Sequence, residues 1–91
     1  MLAIHTRTTV TLDGGGAFTE TFGELQQIDE ALVVMDGPNV NDRVFEVIRT
    51  IATNVVTVTV MKMQVSAVNT WGIAITADVN LKTFTIVVDG I

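Results

Sequence analysis

Residues able to do chemistry are few and far apart in this chain. His5 is the only histidine, Ser66 the only serine, and cysteine is absent. One imidazole without a thiolate makes a zinc site only if carboxylates or symmetry mates complete it. Nucleophilic catalysis needs a hydroxyl placed beside its base, and Ser66 sits in mid-strand with no sharp turn around it. Two carboxylates facing each other across a cleft could cleave a glycosidic bond. Asp29 and Glu30 are adjacent, with Glu20 and Glu24 nearby, but a small sandwich leaves little room for such a cleft. These acids read as a solvated edge and His5 as a simple strand residue. The expectation is no catalytic residue, no bound metal and no cofactor, and so no enzyme.

Three further features could hold a ligand. Gly14-Gly15-Gly16 lacks the Lys-Ser/Thr and the strand-to-helix context of a phosphate loop, and reads as a turn. Asp36, Asn39, Asn41 and Asp42 offer oxygens at calcium-like spacing. Pro38 intervenes, however, and no Glu closes the loop as in an EF-hand, so it reads as a turn built from Asx side chains. Trp71, the lone tryptophan, reads as a core or self-interface anchor, with a ligand-stacking platform as the other use of such a ring.

Composition narrows the partners. Of 91 residues, 48% are hydrophobic and 16% charged, against about 25% charged in ordinary soluble domains. A single domain of this size, residues 1–91, buries only about 60–65% of its unfolded surface, so apolar surface is expected to remain exposed and to mark contacts. The net charge is −5, which argues against nucleic acid, whose phosphates demand a Lys/Arg surface. No stretch approaches the roughly 20 apolar residues of a spanning helix, and Met1–Val10 has no apolar leader core. Synthesis in a cytoplasm, with no membrane contact, is therefore expected.

The elements that must position these residues are strands. Thr and Val dominate, and both favour extended backbone through their branched Cβ. Thr6–Leu12 is predicted as the first strand and Ala17–Phe22 as a short second one. A turn or helical piece from Gly23 leads into a buried strand from about Glu30 to Met35. Arg43–Thr53 follows, with Phe45, Val47 and Ile51 on one face and a break at Asn54. In Val55–Val68 the apolar positions change parity: Val56, Val58 and Val60 are followed by Met61, Met63 and Val65. Side chains of a strand alternate with period two, so the pattern predicts either a β-bulge at Val60-Met61 or a strand that lines a different buried surface at each end. Trp71–Ala77 and Lys82–Asp89 are predicted to close the chain as a hairpin, with Phe84, Ile86 and Val88 inward. The expected fold class is all-β, a compact antiparallel sandwich or barrel of about six to eight strands with at most one short helical turn.

The opening strand TRTTVTLDGGG, the central IDEALVVMDGP and the closing NTWGIAITADVNLKTFTIVVDG resemble the small all-β capsid-decoration (cement) proteins of tailed bacteriophages. The resemblance lies in short Thr/Val strands without cysteine or a catalytic set, and it carries no site residue with it. It implies a non-enzymatic structural subunit of the virion that self-assembles, a trimer being favoured, and stabilises the lattice by binding the major capsid protein or another virion protein. The last strands also resemble lectin-like domains at phage fibre tips, so host recognition by a tail or fibre module is the alternative. Val58, Val60, Met61, Met63, Val65 and Trp71 are the expected interface residues.

Overall fold

A computed structural model describes residues 1–38, 43–64 and 68–91. Its strands are β1 (Leu2–Thr8), β2 (Ala17–Thr21), β3 (Ile28–Asp36), β4 (Arg43–Ala52), β5 (Val55–Gln64), β6 (Val68–Ile73) and β7 (Thr83–Gly90), with a 3-10 turn at Thr76–Val79 before the last. The chain is all-β, as its composition predicts. A first sheet has the order β1-β7-β3, and a second has β2-β5-β4 with β6 also on β5. All the pairings are antiparallel.

Alternation sets the core between the sheets. β7 sends Phe84, Ile86 and Val88 inward, β5 sends Val56, Val58 and Val60, and all six are buried. Phe18 of β2 meets Phe84 edge-on across the gap, with ring centroids 5.0 Å apart. Enclosing each such side chain is worth roughly 1.5–3 kcal/mol, which lets a small sandwich fold without disulfides.

Four sequence expectations change. The first strand lies four residues earlier than predicted, because Thr9 takes a left-handed φ of 56° and stops it. Val10 and Leu12 then enter the core from irregular backbone. The short helical turn falls at Thr76–Val79 rather than after Gly23. There is no bulge at Val60-Met61, since β4 and β5 stay in register from Ala52↔Val55 to Arg43↔Gln64. The irregular step comes later, between Lys62 and Gln64 on the β6 side.

The predicted closing hairpin is the largest correction. β6 pairs with β5, while β7 lies in the other sheet between β1 and β3. Residues 74–82 cross from one sheet to the other, with Ala74 and Val79 fully buried on the way. Local alternation fixes which side chains share a face but not which strand lies alongside, and an Asx-rich turn serves a crossover as well as a hairpin.

Gly16 shows how two strands share one edge. β2 pairs with Val55–Thr59 of β5 and β6 with the stretch from Met61 onward. At the junction, Val60 N–H donates to Gly16 O at 2.9 Å and Ala74 N–H donates to Val60 O at 3.0 Å. Gly16 has φ +76°, and a Cβ there would lie 2.5 Å from the Ile73 methyl. Only glycine fits.

Candidate functional site

The outside of the first sheet carries an apolar patch. Cross-strand register lines up Ile4, Val87 and Leu32 in one row, Leu2, Asp89 and Glu30 in the next, and Thr6, Thr85 and Val34 in a third. Leu2, Ile4 and Leu32 are each more than 60% exposed, where large aliphatic side chains of a sandwich would ordinarily be enclosed. Their neighbours in sequence explain it: Ala3 and Ala31 are the residues turned to the core, so the bulky side chains alternate outward. A shallow groove of about 430 Å³ lies on this side, lined in part by Leu2, Glu30, Leu32, Arg49, Val87 and Asp89. Glu30 and Asp89 stand directly opposite each other across the ladder, and the Met1 ammonium, 3.2 Å from Asp89 Oδ1, offsets the repulsion between these like charges.

The second sheet has an outward apolar area of its own. Met61 lies between Glu46 and Ile73 in register, and Met63 lies opposite Val44. Val44, Ile48 and Ile73 are exposed, and Met61 and Met63 half-buried.

This divides the expected interface residues. Val58 and Val60 are corrected: both are 0% exposed, because even-numbered positions of β5 face the first sheet and are consumed by the core. Met61 and Met63 lie on the opposite, outward face of the same strand, and Trp71 on β6 is exposed. Val65 lies outside the described residues, as do Ser66, Asn39, Asn41 and Asp42. Leu2, Ile4, Leu32 and Val34 were not anticipated. The run Ala31–Met35 predicts a buried strand, whereas one of its two apolar faces is left open. The signal was there in an apolar run on both faces of a strand that proves to lie at the edge of its sheet.

A polar cluster links the two sheets. His5 of β1 sets Nδ1 2.6 Å from Glu20 Oε2 of β2 and Nε2 2.9 Å from Glu24 Oε2 in the following turn. Arg7 also donates to Glu20. The imidazole stacks on Phe22 at 3.8 Å between centroids. A ring with one proton can donate from only one nitrogen, so this geometry suits imidazolium, which donates from both. Partial burial pulls the His5 pKa down, but the hydrogen bonds and charges of Glu24 and Glu20 outweigh it and hold it above the usual imidazole value. Glu24 is held below the usual carboxylate range by a hydrogen bond to its own backbone and then by His5. Glu20 and Glu24 are thus more than the solvated edge the sequence suggests. Because the carboxylates sit on opposite ring nitrogens, they do not converge on a point, and among the described residues no set of three groups could hold a metal.

Other polar groups are used structurally. Asp13 Oδ1 accepts from Gly15 N–H at 2.8 Å and Ala17 N–H at 3.0 Å, so the triple-glycine loop closes on its own Asp. Lys82, buried, donates to Pro38 O and lies 5.5 Å over the Phe45 ring. Lys62 donates to Asp78 at 2.8 Å. No helix among the described residues is long and apolar enough to cross a membrane. Comparison with protein-family models, curated proteins and solved structures finds no match to this chain.

Proposed function

We propose that the chain is a non-enzymatic structural subunit of a virus particle, of the capsid-decoration kind, that assembles with copies of itself and stabilises a lattice. The observation that carries this reading is the open face formed by Leu2, Ile4, Leu32 and Val34 on the first sheet. Apolar surface of this sort, left open on a chain with so few charges, marks a contact, and each aliphatic side chain enclosed there adds roughly 1.5–3 kcal/mol. The second outward area, around Met61 and Ile73, is left for contacts between copies, where adaptable methionines suit a repacked interface. The virion as the setting rests on the sequence resemblance.

The test is the solution mass of the purified chain by light scattering behind size exclusion, followed by co-sedimentation with capsids. A discrete trimer or ring that binds capsids is expected. A monomer that binds none would sink the reading.

One observation favours a second function. Trp71 is 41% exposed on the short strand β6, as a sugar-stacking ring would be in a lectin-like module of a tail or fibre. A glycan array bound by the native chain and not by Trp71→Ala is the expected result of that reading. An array without hits removes it.

A further inference from the structure

We infer that the His5–Glu20–Glu24 bridge is a proton-operated latch that ties β1 to the turn after β2 and releases that turn as the imidazole loses its second proton. The two sheets meet along two seams, which are built differently. Between β3 and β4 the link is Arg49 Nε donating to Ala31 O, and a guanidinium keeps its charge at any ordinary pH. Between β1 and β2, by contrast, the described links run through His5 and Arg7 to Glu20, and through His5 to Glu24. Among the described residues, β1 pairs by backbone with β7 alone and β2 with β5 alone. Side chains therefore join β1 to β2, while the following turn is also held by Gln27 N–H donating to Ile91 O and by Asn54 Nδ2. The side chain that reaches both β2 and that turn is an imidazole, whose charge changes around neutral pH.

The charged groups facing His5 are Arg7 on its own strand, Glu20 on β2 and Glu24 in the turn after it, with Phe22 stacked on the ring. Loss of one proton leaves a nitrogen lone pair against a carboxylate oxygen, so one of the two bonds must break. Glu20 keeps Arg7 as a partner. Glu24 is the more exposed carboxylate, at 42% against 12% for Glu20, so water replaces the imidazole there at the lower cost and the Glu24 bond is the one released.

The sign follows from the direction of the shifts. The raised folded-state pKa of His5 means that its contribution is fully present below about pH 6.5 and fades as pH rises through the folded value. The lowered pKa of Glu24 means that its contribution is present above about pH 4.3 and fades as pH falls through its own folded value. The latch is thus closed in mildly acidic solution and open in alkaline solution.

As the only histidine, His5 gives one imidazole signal, whose pH titration by NMR can be read beside amide hydrogen exchange corrected for the intrinsic rate. His5 should titrate above about 6.5. Exchange in β1 and in the turn around Glu24 should quicken through that titration, by up to about tenfold for each unit of displacement, while the β3–β4 side stays level. Glu24→Gln should bring the His5 titration down and quicken β1 exchange at pH 6. His5→Gln should make β1 exchange independent of pH. Should His5→Gln fail to fold, native chain and Glu24→Gln decide between them. A His5 that titrates at or below about 6.5, or β1 exchange that stays level through its titration, would overturn the latch.

Discussion

At the scale of single residues, neighbours in the sequence meet opposite demands. Val58 and Val60 are enclosed by the first sheet, while Met61, one position on, turns to the outside of the same strand. The glycines divide in the same way. At Gly14 a methyl would meet nothing within 4 Å, whereas at Gly16 it would strike Ile73 and the backbone of Val60 and Ala74 at a left-handed φ. Gly16→Ala should therefore lower stability by more than about 1 kcal/mol in urea unfolding, and Gly14→Ala should leave the midpoint within about 0.5 kcal/mol of native. Equal midpoints for the two variants would show that the β2–β6 junction on β5 is not packed as described. The two glycines are indistinguishable in the sequence; what separates them is a strand edge some forty residues further along the chain.

At the scale of elements, strand existence was legible and strand partnership was not. Branched side chains and Asx/Gly punctuation locate β2, β3, β4 and β5 to within a few residues, since pleating and turn chemistry are local. β7 was located with its inward face correctly read, yet placed beside the wrong neighbour. Pairing depends on which faces must be covered, and β7 fills the gap between β1 and β3 because Phe84, Ile86 and Val88 complete the core from that side. The polar cluster was missed for the same reason, because His5 and Glu20 are 15 positions apart and come together only when the sheets stack. At the opposite seam, Arg49→Ala removes the donor to Ala31 O and should cost about 1 kcal/mol by the same amount at pH 6 and pH 8.5. A loss that varies with pH would place the titrating group on this side instead of at His5.

At the scale of the whole molecule, the fold is a slab of 45 × 21 × 18 Å with apolar side chains on the outside of both sheets. On the proposed reading, these two opposed apolar faces serve a subunit held between a lattice and its own copies. Leu32→Asp and Met61→Asp each place a carboxylate on one outward face without entering the core. The assembly reading expects Met61→Asp to lower the solution mass and Leu32→Asp to weaken capsid binding, with circular dichroism unchanged in both. Unchanged mass and unchanged binding would show both faces idle.

The sequence alone determined the strand class, the inward face of β7, the turn chemistry of Asp13 and the glycines, and a shortage of polar coat. All of these follow from backbone sterics, period-two alternation and composition, which act over a few residues at a time. Only the tertiary structure decided which apolar faces are enclosed and which stay open, that β6 and β7 belong to different sheets, and that the lone imidazole bridges two carboxylates. Burial and ion pairing are set by what packs opposite, and in a sandwich the opposite surface comes from distant parts of the chain.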